Sequence, residues 1–192
     1  MINKQLLKRV FDLVFAIVML VLFLISMLFI ALLVRATSKG TILYWSDRVG
    51  RYNVIFSMPK FRTMHMDTPA VATHLISNPN KYLSPFGEFL RHTSLDELPQ
   101  LWSILKGDMS FVGPRPALFN QDDLIFLRKG KGVDQFKPGL TGWAQVNGRD
   151  ELPISEKVLL DVEYMERQSF WFDMKILWLT CFKVIKREGV SY

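Results

Sequence analysis

One long apolar segment dominates the hydrophobic pattern near the start of the chain. The 22 residues from Leu13 to Val34 carry no charge, and Ser26 is their single polar member. As an α-helix they would extend for about 33 Å, enough to cross the ~30 Å hydrocarbon core of a bilayer. The run exceeds the roughly 7–15 apolar residues of a signal peptide, and no small-residue cleavage site follows it. The pattern predicts a membrane-embedded region over residues 1–39.

Both flanks of this segment are basic, which leaves its orientation open. The flanking cations are Lys4, Lys8, Arg9, Arg35, Lys39, Arg48 and Arg51. Basic flanks favour the cytoplasmic side of a membrane. A helix that enters the membrane and returns would keep both flanks on that side, whereas a straight span would keep only one there. The hydroxyl of Ser26 could bond to a carbonyl one turn earlier and bend the helix, or it could simply be accommodated in a straight anchor.

Residues 40–192 have the pattern of one small α/β domain of the α+β kind, mainly helical. Two β-rich runs, Thr41–Trp45 and Asn53–Met58, predict a hairpin. The polar stretch Met66–Ser84 predicts a loop, and the Gly- and Pro-rich stretch Phe111–Arg149 is expected to be irregular. Helices are predicted over Pro85–His92, Leu95–Lys106, Ser155–Arg167 and Trp171–Arg187.

The last predicted helix has a polar stripe among aromatic residues. Asp173, Thr180, Lys183 and Arg187 follow one another at spacings of 7, 3 and 4 residues, which places them on one helical face. Aromatic and basic residues together are typical of an amphipathic helix lying in the membrane interface. A core helix of the domain is the alternative interpretation.

Composition and charge narrow the classes of protein. With 49% hydrophobic and 22% charged residues, the chain is too apolar for intrinsic disorder. Its single cysteine, Cys181, excludes a disulfide framework and a cysteine-based zinc site. The net charge of +6 favours anionic partners, either phosphates or an acidic membrane surface.

Adjacent carboxylates follow the predicted helix start at Ser94, and they have two interpretations. Ser94 and Glu97 have the spacing of a capping box, which would make Asp96 merely an acid in the first turn. However, Pro99 lies one turn into the helix, where it removes a hydrogen bond and favours a bend. Chemically, an ionised Asp96 could attack phosphorus, and Glu97 could hold Mg²⁺.

Several cations and polar residues lie in turns that suit phosphate or nucleotide binding. An arginine fork matches phosphate oxygens, and a tryptophan face can stack on a base. The candidates on these grounds are Lys60, Arg62, Arg115, Trp143, Asn147 and Arg149. No Walker A pattern and no glycine-rich dinucleotide fingerprint occurs, which disfavours ATP-driven and nicotinamide chemistry.

Ordered blocks along nearly the whole chain resemble the bacterial sugar transferase family, the monotopic polyprenyl-phosphate phosphoglycosyltransferases. The blocks are Lys8-Arg9-Val10-Phe11-Asp12, Arg48-Val49-Gly50, Lys60-Phe61-Arg62-Thr63-Met64, Ser94-Leu95-Asp96-Glu97-Leu98-Pro99-Gln100-Leu101, 106–116 (KGDMSFVGPRP) and 138–149 (PGLTGWAQVNGR). Their number and order make a chance match very improbable.

The resemblance implies a reaction and a cofactor. Such enzymes move a sugar 1-phosphate from a UDP-sugar onto undecaprenyl phosphate or another polyprenyl phosphate, releasing UMP. The step begins the membrane stage of glycoconjugate synthesis, for a polysaccharide or a glycoprotein. Asp96 would be the nucleophile that forms a phosphosugar-aspartyl intermediate, and Glu97, with Asp96, would hold Mg²⁺.

The resemblance also implies further site residues and a location. Arg91, Arg115 and Arg149 would bind the diphosphate and the lipid phosphate, and Asp161 matches a family acid that we include among the candidate substrate-binding residues. The domain would lie on the cytoplasmic face of the bacterial inner membrane, in contact with phospholipids and not with nucleic acid. The family bends its re-entrant helix at a Ser-Pro pair, whereas here Ser26 precedes Met27.

Two other classes of protein fit part of the pattern. A membrane-anchored module that binds nucleotides or anionic lipids would explain the charge and the anchor without a nucleophile. A membrane-bound phosphohydrolase would use the same carboxylates but would pass the phosphosugar to water. The sequence specifies neither the sugar, nor the glycan pathway, nor the oligomeric state.

Overall fold

The computed structural model describes residues 4–69, 79–148 and 152–186, and in them helices and short strands alternate. The α-helices are Lys4–Thr37 (α1), Gly87–His92 (α2), Leu101–Lys106 (α3), Asp122–Gly130 (α4), Trp143–Asn147 (α5), Ile154–Arg167 (α6) and Phe170–Lys186 (α7). The strands are Leu43–Val49 (β1), Ile55–Phe61 (β2), Ser110–Val112 (β3) and Gly139–Thr141 (β4). Single 3₁₀ turns cover Arg51–Asn53, Pro79–Tyr82, Leu95–Gln100 and Val133–Gln135. The predicted mixed architecture, with an apolar helix before a mainly helical domain, is confirmed.

Helix α1 lies against the domain near both of its ends. Towards its start, the guanidinium of Arg9 donates to the carbonyls of Ile104 and Leu105 at 2.6 and 2.7 Å, at the end of α3. Towards its end, Ile30 and Val34 are buried in an apolar cluster with residues of β2 and α2. The two ends of the helix therefore contact the same body.

The opposite face of α1 is apolar and exposed. Among its outward residues are Leu22, Ile25, Phe29 and Leu32, and Ile25 is 81% exposed. By length and composition the helix is able to cross a membrane. Helical structure continues through the exposed Ser26, so the bend at that residue stays a prediction.

Buried polar contacts attach the first turns of α1 to the domain. Asp12 is only 3% exposed, and its carboxylate accepts hydrogen bonds from the Ser110 hydroxyl and the Phe111 amide, each at 3.1 Å. One turn earlier, Lys8 forms an ion pair with Asp173 of α7. Because a buried carboxylate without partners is costly, these contacts determine which face of α1 turns inward.

The predicted hairpin is confirmed, with its strands placed slightly later along the chain. Strands β1 and β2 pair antiparallel, with Leu43 opposite Phe61 and Val49 opposite Ile55. The turn Arg51–Asn53 joins them, and its last two residues take left-handed φ values of 57° and 59°. Strand β2 packs against the 3₁₀ turn that carries the two adjacent carboxylates.

The expectation that Phe111–Arg149 is irregular is wrong. Strands β3 and β4 pair in parallel there, and their backbones approach closely because glycine occupies both sides of the contact. A Cβ on Gly113 would lie 2.4 Å from the Lys137 carbonyl oxygen, and one on Gly139 would lie 2.1 Å from the Gly113 nitrogen. Helices α4 and α5 lie in the same stretch. These glycines serve close backbone packing in addition to turns.

Helix α7 directs its polar stripe inward. Asp173 is 5% exposed and accepts a 2.8 Å hydrogen bond from the Tyr164 hydroxyl, while the hydroxyl of Thr180 lies 2.7 Å from that of Thr141. The outward residues include Trp171, Trp178 and Phe182. Outward aromatic residues suit the predicted membrane-interface position, which itself stays a prediction. Arg187, the last residue of the predicted stripe, lies outside the described residues.

We predict that Asp12→Ala lowers the free energy of unfolding by about 2 kcal/mol, because it leaves the buried Phe111 amide without its acceptor. Thermal unfolding in detergent measures the effect. Asp47→Ala, which removes an exposed carboxylate from β1, is the control. Equal unfolding temperatures for the two variants would contradict the assigned role of Asp12.

Candidate active site

Asp96 and Glu97 lie in the first turn of the 3₁₀ segment Leu95–Gln100, which α3 continues. Ser94, before them, has φ 55° and ψ 17°, a left-handed conformation that costs a residue with a Cβ about 1 kcal/mol. Its side chain makes no capping hydrogen bond. The capping-box interpretation of this segment is therefore wrong, and the carboxylate of Glu97 has other partners.

The single predicted helix over Leu95–Lys106 is two segments of different type. The 3₁₀ segment contains Pro99, and α-helical geometry begins at Leu101. Because proline cannot donate a backbone hydrogen bond, a regular helix is interrupted there. The change of helix type is the distortion that Pro99 predicted, and it follows directly after the acidic pair.

Cations from β2 and from the loop after β3 converge on Glu97. The Lys60 ammonium lies 2.7 Å from Glu97 Oε1, and the Arg115 guanidinium lies 3.7 Å from the same oxygen. Both lysine and glutamate are largely buried, with 17% and 19% of their side chains exposed. The structure thus brings Lys60 and Arg115, two of the predicted binding residues, to the acidic pair.

Asp96 is a buried acid whose pKa is subject to opposing effects from its surroundings. It is 7% exposed, and burial is the largest cause that raises its pKa, to about 6. The charge of Glu97 adds to the rise, whereas Lys60, Arg91 and Arg115 lower the pKa. The carboxyl is therefore mainly ionised at neutral pH but is a stronger base than an aspartate in water. These properties suit a nucleophile.

Arg91 approaches the pair from α2. Its Nε donates to the Thr63 hydroxyl and its Nη2 to the Met64 sulfur, each at 3.1 Å. Its charge acts on Asp96, as the pKa of that carboxyl indicates. Three cations thus surround two carboxylates, which leaves the site with a positive balance suited to a polyanionic ligand.

The hydrogen-bond partners of two other candidate binding residues lie away from the acidic pair. Arg62 donates to the carbonyl and hydroxyl of Thr41 at 2.8 and 2.6 Å, at the start of the hairpin. Asn147 donates to the Trp143 carbonyl at 2.7 Å. Binding roles for these side chains stay predictions, and Arg149 lies outside the described residues.

Trp143 is engaged by the two C-terminal helices. Its indole N–H donates to Glu163 at 2.8 Å, and its ring centroid lies 5.0 Å from that of Phe172. The Arg167 guanidinium lies 5.6 Å from the ring centroid. These contacts give the tryptophan a packing role between α5, α6 and α7, and base stacking by it stays a prediction.

Asp161 is buried on α6 and is paired with an arginine of α4. It is 1% exposed, and one carboxylate oxygen accepts hydrogen bonds from the Arg128 Nε and Nη2 at 2.9 and 2.7 Å. In this structure Asp161 therefore lies in a buried ion pair, and substrate binding by it stays a prediction. Sequence reasoning missed Arg128, because its pairing with a residue 33 positions away leaves no local signal.

The acidic pair fits the magnesium ion that the resemblance implies. Within the described ranges, no cluster of three or more histidine, cysteine or acidic side chains could hold a metal without help. Mg²⁺ in phosphoryl-transfer sites, however, takes one or two carboxylates and completes its shell with substrate oxygens and water. Asp96 and Glu97 supply that donor set, although Lys60 already occupies one oxygen of Glu97.

We predict that Asp96→Asn raises the unfolding temperature at pH 7, because the ionised carboxylate is buried at a cost on the order of 2 kcal/mol. The raised pKa means that wild type regains stability as the pH falls through 6 towards 4. The difference between the two proteins should therefore shrink over that window in thermal unfolding. Asp47→Asn controls for the loss of one negative charge, and a destabilised Asp96→Asn protein at pH 7 would contradict the assignment.

Comparison with known proteins identifies the family of the chain. The bacterial sugar transferase family model matches residues 3–187. The uncharacterized sugar transferase EpsL of Bacillus subtilis is 40% identical over 187 residues, which cover 97% of this chain and 91% of EpsL. The UDP-glucose:undecaprenyl-phosphate glucose-1-phosphate transferase of Escherichia coli is 41% identical over 93% of this chain. The undecaprenyl-phosphate galactose phosphotransferase of Salmonella typhimurium is 37% identical over 97%.

The lengths of these relatives differ. The chain spans 40% of the Escherichia coli protein and 42% of the Salmonella protein, in contrast to nearly all of EpsL. The match nevertheless covers the long apolar helix, the acidic pair and the cations around it. The chain belongs to the bacterial sugar transferase family.

Proposed function

We propose that this protein transfers a sugar 1-phosphate from a UDP-sugar to a polyprenyl phosphate, undecaprenyl phosphate by analogy with its named relatives, with release of UMP. The observation that carries the proposal is the buried Asp96, adjacent to Glu97 and surrounded by Lys60, Arg91 and Arg115. Such a group of charges suits a diphosphate substrate and a carboxylate nucleophile.

In the first step, a carboxylate oxygen of Asp96 attacks the phosphorus that bears the sugar. A bond forms between that oxygen and the phosphorus, and the bond from the phosphorus to the bridging oxygen breaks. UMP leaves with the electron pair of the broken bond. Lys60 and Arg115 lie where they can neutralise the charge on the phosphoryl oxygens, since both flank Glu97 at the same turn.

In the second step, an oxygen of the polyprenyl phosphate attacks the same phosphorus. The bond to Asp96 breaks, the free carboxylate is regenerated, and the lipid carries the sugar on a diphosphate. The cations around Asp96 partly offset the cost that burial imposes on its ionised form, and so assist its departure as the leaving group. The two substrates therefore react in turn, which gives ping-pong kinetics.

Asp96 and Glu97 would hold Mg²⁺ together with the diphosphate oxygens. When bound, the ion would offset the negative charge that develops on the transferred phosphoryl group.

The arrangement of α1 supports a monotopic placement on the cytoplasmic face of the inner membrane. Helix α1 is 34 residues long, about 51 Å, yet contacts the domain both around Arg9 and around Val34. A straight span perpendicular to the membrane would contact a domain on one side at one end only. A helix whose ends both stay on the cytoplasmic side satisfies the two basic flanks and the two contacts together.

We predict that UMP release from a panel of UDP-sugars, with Mg²⁺ and undecaprenyl phosphate, depends on the lipid and falls at least about a thousand-fold in Asp96→Asn. The activity of wild type should also fall below pH 6, because a protonated Asp96 cannot attack phosphorus.

The exposed Asp122→Asn on α4 is the matched control and should keep its activity. Full activity in Asp96→Asn would remove the nucleophile. Lipid-independent release of free sugar phosphate would show a phosphohydrolase, and nucleotide binding without turnover would show a binding module.

We predict that cysteines introduced before and after the apolar run, at Gln5 and at Lys39, are both labelled from the cytoplasmic side. The exposed Cys181 is first replaced by serine so that it does not react. Vesicles of known orientation and a membrane-impermeant maleimide provide the measurement. Labelling of position 5 only from the periplasmic side would show a spanning helix and contradict the monotopic placement.

A further inference from the structure

The Pro-Arg-Pro turn, residues 114–116, carries Arg115 towards the acidic pair, and the Arg128–Asp161 ion pair holds the backbone of that turn. The Nη1 of Arg128 donates to the Arg115 carbonyl at 2.7 Å. The other side of the same guanidinium, Nε and Nη2, is bound by Asp161. We infer that Asp161 is a positioning residue: through Arg128 it determines where the Arg115 guanidinium lies relative to Glu97.

The neighbouring carbonyls of the turn are held in the same way. The Pro114 carbonyl accepts a 2.9 Å hydrogen bond from the Gly139 amide. The Pro116 carbonyl accepts a 3.2 Å hydrogen bond from Nη1 of Arg48, on β1. Three successive carbonyls therefore have donors from β4, α4 and β1. Of these three donors, Arg128 on α4 is the one that binds the carbonyl of Arg115, the residue that faces the acidic pair.

Proline on both sides makes the backbone of Arg115 stiff. Each proline ring restricts its own φ, and a residue before proline is confined to extended conformations. Little freedom is left within the turn, so the direction of the arginine side chain follows the orientation of the turn as a whole. The hydrogen bond that Arg128 donates to the Arg115 carbonyl opposes rotation of the turn, and so restricts the direction of the guanidinium.

Asp161 restricts Arg128 by geometry and by charge. The carboxylate comes from α6 and the arginine from α4, and both are nearly excluded from solvent, with 1% and 11% of their side chains exposed. Two of the three guanidinium nitrogens, Nε and Nη2, donate to one carboxylate oxygen of Asp161. The third nitrogen, Nη1, is thereby directed towards the turn. Without the carboxylate, the arginine would lose the contact that holds its plane in this orientation.

This inference rests on the proposed function, since it assigns Arg115 to the diphosphate. If Asp161 acts through Arg115, its removal should matter only while Arg115 is present. A role in general stability would instead affect activity equally in either background. The two possibilities are separated by a double-mutant cycle.

The experiment measures kcat/KM for UMP release in Asp161→Asn, Arg115→Ala and the double variant. We expect Asp161→Asn to lower kcat/KM about 10- to 100-fold, the usual effect of losing a partner that orients a site residue. In the Arg115→Ala background, the same substitution should change it by less than about threefold. Asp173→Asn, another buried acid with a cationic partner, is the control and should have the same effect in both backgrounds.

The outcomes divide clearly. An Asp161→Asn protein within threefold of wild type, or losses that multiply in the double variant, would overturn the inference. If Asp161→Asn does not fold, Arg128→Lys replaces it in the cycle, since lysine keeps the charge but cannot bridge both acceptors.

If wild type releases no UMP from any donor, the proposed function fails independently. The same cycle is then measured as the dissociation constant for UDP. A loss of affinity in Asp161→Asn that disappears in the Arg115→Ala background would support the positioning role, and additive losses would overturn it.

Discussion

An ionised carboxylate removed from water beside a second carboxylate is the constraint on which the rest of this structure depends. Burial and Glu97 both disfavour the charge on Asp96, and each must be offset by cations brought from elsewhere in the chain. Lys60 comes from β2, Arg91 from α2 and Arg115 from the loop after β3. The hairpin, the short helix and the proline-rich turn are therefore arranged around one six-residue segment. The buried charge on Asp96 therefore lowers the stability of the folded protein at this segment.

Helices α1 and α7, which both have exposed apolar faces, share the way in which their acidic residues are placed. In α1 and α7 the acidic residues Asp12 and Asp173 point into the domain, and most of the outward residues are aliphatic or aromatic. A carboxylate removed from water is costly unless it is hydrogen-bonded, so both acids find their partners within the protein. The domain core, through Ser110, Phe111 and Tyr164, provides those partners.

Local patterns predicted the elements that depend on neighbouring residues. The apolar helix, the hairpin and α6, which begins at Ile154 rather than Ser155, all have periodicities that a short window shows. Strands β3 and β4 are three residues each and exist because they pair across nearly thirty residues, which no local window contains. The glycines of this region were interpreted as turn residues of an irregular stretch, yet the amides of Gly113 and Gly139 donate to backbone carbonyls of the paired segments.

For the acidic pair too, some features could be predicted from neighbouring residues and others depended on the tertiary structure. Its candidate role was inferred from residue types and from a family resemblance, and the structure brings three of the predicted cations to it. The capping interpretation failed because Ser94 adopts a left-handed backbone, which residue spacing does not reveal. The partner of Asp161 was also beyond prediction, since a buried ion pair between two helices is determined by tertiary packing.

The contacts that hold α1 have a consequence for how the chain is made. Lys8 is separated from Asp173 by 165 residues, and Asp12 is separated from Ser110 by 98. At ribosomal speeds of roughly 5–20 residues per second, the apolar helix emerges on the order of ten seconds before α7 does. Until β3 has been made Asp12 has no access to Ser110, and until α7 has been made Lys8 has no access to Asp173. The complete attachment of α1 to the domain therefore comes at the end of folding, and a nascent chain stalled before α7 would lack the ion pair between Lys8 and Asp173.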